Sequence, residues 1–228
     1  MNILLTNDDG YEAEGIKLLK EELSSFGRVV IVAPKEVMSA KSVAITITRA
    51  QEVKQVEPDV FYMDGTPADC VAFGLSSLST KFDLVVSGCN DGFNVSYDIM
   101  YSGTVGACLQ ALTYRVPAMA VSAPNGNLEI VRKYFKNVFN YIRKNKLLCR
   151  EYLLNINFPI GAVAKSIEET TIYYRKETTY YVKEMDDMYF AVREINDDKC
   201  REPYTDVYAV HHQQISITKL NKTNIYKE

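Results

Sequence analysis

The chain of 228 residues has little of what thiol-metal, disulfide-bonded or membrane-spanning proteins need. It has two histidines, His211 and His212, and five cysteines, Cys70, Cys89, Cys108, Cys149 and Cys200, odd in number, widely spaced and without a CxxC. Nothing here indicates a disulfide framework or a zinc site, and reduced thiols in a cytoplasmic protein are the expectation. No apolar run approaches the roughly 20 residues that span a bilayer. The N-terminus has neither a basic segment nor a cleavage site, so no secretion signal is expected. An excess of positive charge is lacking too: 26 Lys+Arg against 29 Asp+Glu give a net charge of −3. That balance argues against a nucleic-acid polymer as partner, since such a partner needs a basic face. Beyond Gly161 there is no glycine at all, whereas eight of the sixteen tyrosines follow residue 172.

What is present alternates. Ile3 to Thr6 reads as a buried strand, and Glu14 to Phe26 carries Ile16, Leu19, Leu23 and Phe26 on one helical face, with Gly27 as its expected C-terminal stop. Val29 to Ala33 is a second strand; Val43 to Thr48 alternates and Val60 to Met63 is a further candidate. Thr66-Pro67 reads as an N-cap with Pro at N1, opening a helix to about Leu78. Asp83 to Ser87, Ala118 to Ser122 and Leu153 to Asn157 are strands; Ser102 to Tyr114 and Leu128 to Asn145 are helices. Strands separated by helices predict a parallel sheet with right-handed crossovers. The expected fold is therefore α/β: a Rossmann-like three-layer core over residues 1–170, followed over 171–228 by a β-rich arm and C-terminal segment. In that second part Thr171 to Tyr174, Tyr180 to Val182 and Gln214 to Thr218 read as antiparallel strands, with exposed turns at 183–187 and 196–199. A Tyr-rich, Gly-free extension suits subunit contacts.

The chemistry concentrates in loops behind strands, where open α/β sheets bind ligands. Asn7, Asp8, Asp9 and Gly10 follow the first strand, Ser39 and Ser42 the second; Ser87-Gly88-Cys89-Asn90-Asp91-Gly92-Phe93-Asn94 follows a third, and Ser102-Gly103-Thr104 opens a helix. Adjacent carboxylates disfavour each other's ionisation, and a divalent cation removes that cost. Two carboxylates, a hydroxyl and an amide oxygen suit Mg²⁺ or Mn²⁺. A helix start with free N–H groups suits a phosphate. Each residue also has a plain structural use: Asp9-Gly10 as a turn, Asn90 and Asn94 in left-handed turns, Ser102 as an N-cap, the histidines as structural or exposed.

With these residues in view the chain resembles the SurE family (survival protein E) of metal-dependent nucleoside-monophosphate phosphatases. The resemblance is carried by Ile3 to Gly10, Gly65-Thr66-Pro67-Ala68-Asp69-Cys70, Val85 to Asn94, Tyr101 to Val105, Asn155 to Pro159, Thr205 to Val210 and Ile215 to Thr218. It implies one Mg²⁺ or Mn²⁺ per subunit on Asp8, Asp9, Ser39 and Asn90, with Asp8, Asp9 and Asn90 catalytic. Asn7, Ser39, Asn94, Ser102, Gly103 and Thr104 are the candidate substrate- and phosphate-binding residues. It further implies 5′- and 3′-nucleotidase activity and a C-terminal β arm exchanged within a homodimer or homotetramer. Three departures bear on phosphate contacts and loop shape: Met38-Ser39-Ala40 stands for Arg-Ser-Gly, Val43 for an asparagine, and Asn94-Val95-Ser96 for Asn-Leu-Gly. Two alternatives are a receiver-like Mg²⁺-binding signalling domain, which needs a third aspartate and a lysine, and a catalytically degenerate member of the same fold. A haloacid-dehalogenase-type phosphatase needs Asp-x-Asp, and Asp8-Asp9-Gly10 lacks it.

Overall fold

The computed structural model describes residues 1–195, 200–221 and 224–225. The first strand, Asn2–Thr6 (β1), sends Ile3 and Leu5 into one apolar cluster and Leu4 into another, all three fully buried. Burial on both faces is what a central strand of a parallel sheet requires. Helix Glu14–Leu23 (α1) follows, then Arg28–Pro34 (β2), Val53–Glu57 (β3) and Val60–Met63 (β4). Pro67–Ser77 (α2) starts at a capping box: the Thr66 hydroxyl accepts from the Asp69 amide at 3.1 Å, and Asp69 accepts from the Thr66 amide at 3.0 Å. After it come Leu84–Asp91 (β5), a single turn Asp98–Tyr101 (α3), Gly103–Thr113 (α4), Ala118–Ala123 (β6), Leu128–Lys144 (α5) and Leu153–Asn157 (β7). The remainder is Ser166–Thr170 (β8), Glu177–Met185 (β9), Met188–Ile195 (β10), Asp206–His211 (α6) and Gln214–Leu220 (β11).

Nine strands form one sheet in the order β3-β4-β2-β1-β5-β6-β7-β11-β8. From β4 to β7 every neighbour is parallel; β3 joins β4 and β11 joins β7 antiparallel, and β8 lies parallel to β11. Apolar residues of α1 and α5, among them Ile16, Leu19, Phe135 and Phe139, cover one face, while Cys70 and Val71 of α2 and Val105 and Cys108 of α4 cover the other. This is the three-layer α/β arrangement expected. Within 171–228, α6 and β11 pack into the main sheet, and the hairpin β9–β10 pairs only with itself.

Several local expectations fail for identifiable reasons. Val43 to Thr48 forms no strand. Its polar backbone is instead taken up by the α2 cap, with Thr46 N–H donating to Asp69 (2.9 Å) and the Thr66 hydroxyl to the Ala44 carbonyl (2.6 Å). Thr171 to Tyr174 makes only an isolated bridge, Thr171 with Thr205. The 183–187 segment is strand as far as Met185 and turns at Asp186 and Asp187, while 196–199 lies outside the described residues. Gly27 does not cap α1, which ends at Leu23; a Cβ there would sit 2.0 Å from the Met1 carbonyl oxygen, so the glycine serves the close approach of β1 and β2. His211 ends α6, and His212 stacks on Tyr208 with ring centres 3.8 Å apart.

Candidate functional site

The direction of strand succession reverses between β1 and β5: β1, β2 and β4 run to one side, β5, β6 and β7 to the other. At such a switch point the loops depart to opposite faces of the sheet and leave a crevice at the carboxyl edge. Asp8 and Asp9 stand there behind β1, and Asn90 stands at the end of β5.

Asp8 is buried and held against the start of α4. The Thr104 hydroxyl donates to its Oδ1 at 2.6 Å. Its backbone carbonyl accepts from Met38 N–H at 2.7 Å, which brings the Ser39 loop alongside. Gly103 makes the three-way approach possible, since a Cβ there would lie 3.0 Å from Asp8 Cβ and 3.2 Å from the Met38 carbonyl oxygen. Burial pushes the Asp8 carboxyl up to about 6; the Thr104 hydroxyl pulls it down and the charge of Asp9 raises it further. Asp9 is half-buried and also raised, by burial first and by the Asp91 carboxylate, against a backbone hydrogen bond from Asp91.

Asn90 donates through Nδ2 to the Gly92 carbonyl at 2.9 Å, which orients its amide and leaves Oδ1 without a partner among the described residues. Neither Asn90 nor Asn94 takes a left-handed backbone; Gly92 and Ser96 do. Asn7 donates to the Gly10 carbonyl at 2.8 Å, while its Oδ1 is buried without any partner. A buried acceptor left unpaired costs free energy, and here it adjoins the carboxylate pair. Ser39 is exposed at the rim. Among the described residues no group of three or more His, Cys, Asp or Glu is placed to hold a metal. A cation here would therefore rely on two carboxylates and neutral oxygens, a set that suits hard divalent ions. The orphaned Asn7 oxygen and the two carboxylates penalised by burial fit that requirement.

The structure thus gathers Asn7, Asp8, Asp9, Asn90, Gly103 and Thr104 at one crevice, with Ser39 at its rim. Ser102 caps α4, accepting from the Val105 amide at 3.1 Å. Asn94 is set by residues that sequence reasoning missed. Its Nδ2 donates to Ser122 Oγ (2.8 Å), its N–H to Asn157 Oδ1 (2.9 Å), and its carbonyl accepts from Asn155 Nδ2 (2.7 Å). The signal was present: Asn155 and Asn157 alternate in an otherwise apolar buried strand, so both face one side. Asp206 was missed as well. Fully buried, it accepts from the amides of Ser96 and Tyr173 and from its neighbour Val207, each at 2.8 Å, and so ties the Asn94 loop to the C-terminal segment.

Gly106 shows how tightly the rim is built, because a Cβ there would lie 1.9 Å from the Ser42 carbonyl oxygen. Gly106→Ala is expected to displace the 38–43 loop and to cost about 1–3 kcal/mol, the range of core overpacking. The urea midpoint measures it, and an unchanged midpoint would mean that the loop yields freely.

The fold and site define a doubly wound α/β protein with an oxygen-rich, carboxylate-bearing crevice at its switch point. Residues 3–183 match the family model described as Survival protein SurE. A 5′-nucleotidase SurE from Clostridium botulinum is 38% identical over 97% of this chain and 93% of its own, and one from Thermoanaerobacter sp. is 36% identical over 97% and 92%. The crystal structure of the SurE protein from Aquifex aeolicus superposes with a TM-score of 0.86 at 33% identity, covering 98% of this chain and 95% of that one. The chain belongs to the SurE family.

Proposed function

We propose that this protein is a nucleotidase that hydrolyses nucleoside 5′- and 3′-monophosphates to nucleoside and phosphate, using one Mg²⁺ or Mn²⁺ per subunit held by Asp8, Asp9, Ser39 and Asn90. The observation that carries the reading is the carboxylate pair at the switch point, with Asp8 locked against the start of α4. The 5′-nucleotidase SurE relatives support the substrate class. When bound, a divalent cation supplies positive charge against the phosphate oxygens and acidifies water. The Thr104 hydroxyl donates to Asp8, so its part is to orient that carboxylate. Phosphate oxygens are left the Gly103 and Thr104 amides at the helix start and the Asn94 loop. Asp9, more exposed than Asp8 and without a side-chain partner among the described residues, is placed to accept the proton of the attacking water. The water oxygen bonds to phosphorus, the ester P–O bond breaks, and the nucleoside oxygen takes a proton from solvent.

The test is release of inorganic phosphate from a panel of 5′- and 3′-monophosphates with Mn²⁺, Mg²⁺ or chelator. Release is expected with metal and none with chelator; no release from any monophosphate with either metal would refute the reading.

The same proposal includes a homodimer or homotetramer. The β9–β10 hairpin exposes Tyr180, Tyr181, Val182, Tyr189 and Phe190 and pairs with no other strand of the described residues, and an isolated two-stranded hairpin is marginal in water. Its root is anchored by buried Arg175, 2.5 Å from Asp98 and 3.2 Å from Glu177, and by Arg193 at 2.9 Å from Asp98. Replacing 179–192 by a short turn keeps that root and removes the apolar blade. A lower subunit count in light scattering is expected; an unchanged count would show that the blade does not hold subunits together.

A further inference from the structure

The sheet edge opposite the carboxylate crevice carries a second feature. There β5 and β6 begin, α2 and α4 end, and a cavity of about 480 Å³ opens, lined in part by Thr80, Lys81, Asp83, Tyr114, Arg115 and Arg150. That volume lies within the roughly 300–1,000 Å³ of small-molecule sites. In a chain of net charge −3 this cavity is basic. Lys81, Arg115 and Arg150 are exposed and form no ion pair with any described residue, whereas Arg28 nearby is paired with Asp59 at 2.5 Å. The one carboxylate, Asp83, is engaged by the backbone N–H of Asn2 at 2.7 Å. The carboxyl ends of α2 and α4, which carry no basic residue in their last turns, also draw these cations. Each helix end counts for about half a negative charge, so with Asp83 included the cavity keeps a surplus of about one positive charge.

We propose that this cavity is a second binding site, separate from the carboxylate crevice, for a phosphate-bearing anion of nucleotide size. The guanidinium groups of Arg115 and Arg150 present forked donors suited to phosphate oxygens. Lys81 adds an ammonium. Thr80 adds a hydroxyl, which Arg28 touches at 3.5 Å. Tyr114 is 42% exposed and its ring makes no ring contact with any described residue, so it is open to stacking by a base.

The test is calorimetric titration of the full chain with ADP in the presence of chelator, which removes the metal contribution at the crevice. The wild-type protein and Ser39→Glu, which places a carboxylate at the crevice rim, are expected to bind ADP equally. Lys144→Glu, an exposed charge reversal elsewhere, is expected to match them. Arg115→Glu/Arg150→Glu is expected to bind at least tenfold more weakly with an unchanged thermal midpoint, and Arg150→Glu alone gives the same direction if the double variant is unstable. Binding by the arginine variants at wild-type strength would overturn the proposal. Loss of binding in Ser39→Glu would also overturn it by placing the anion at the crevice. No binding to the wild-type protein at millimolar ADP would show that the three cations only complement helix ends.

Discussion

Asp8→Asn is expected to lower phosphate release at saturating metal by about a thousandfold or more while leaving the protein folded. A thousandfold corresponds to about 4 kcal/mol of transition-state stabilisation. The loss follows because the proposed site has only two formal negative charges for a dication, and Asn removes one of them. Folding survives because Asn is isosteric and still accepts from the Thr104 hydroxyl, which holds Asp8 at 2.6 Å. Burial already pushes the Asp8 carboxyl up to about 6, so a neutral amide is no worse tolerated at that position without metal. The measurements are released phosphate and the thermal midpoint in chelator. A rate within tenfold of wild type, or a lower midpoint in chelator, would sink the assignment of Asp8 as the charged ligand.

Asp206→Ala is expected to be among the most destabilising single changes in the chain, at about 4 kcal/mol, because it strands buried amide donors that each cost about 1–3 kcal/mol when unpaired. The amides of Ser96, Tyr173 and Val207 all lose their acceptor. Asp206→Asn keeps one acceptor and supplies a pH test. Burial raises the Asp206 carboxyl from 3.8 to about 6, although the three amides and Arg175 pull it down. Since the folded pKa lies above the unfolded one, the folded state holds the proton more tightly between those values. Its contribution to stability is then complete below about pH 4 and is lost as pH rises through about 6. The wild-type protein should lose stability relative to Asp206→Asn across that window. Asp8 titrates in the same direction in both proteins, so the difference between them isolates Asp206. Urea midpoints at pH 4, 5, 6 and 7 measure it, and parallel curves for the two proteins would remove the coupling.

Signals confined to a few neighbouring residues are legible in the amino-acid sequence itself. The Thr66-Pro67 helix start, the two-sided burial of Ile3 to Leu5, the α5 stripe and the carboxylate pair behind β1 rest on local backbone chemistry and periodicity. So did the gathering of Asp8, Asp9, Asn90 and Gly103, because a parallel sheet brings its carboxyl-end loops to one edge. Alternation misled at Val43 to Thr48, where side-chain bonds to Asp69 and Thr66 outcompete a ladder. Only the tertiary structure placed β11 between β7 and β8, set the Thr104 hydroxyl on Asp8, clamped Asn94 with Ser122, Asn155 and Asn157, and carried Asp206 to a loop 110 residues away. These are pairings between segments distant in sequence. A buried amide or carboxylate must find its partner, but the partner's identity depends on which surfaces the sheet has already brought together.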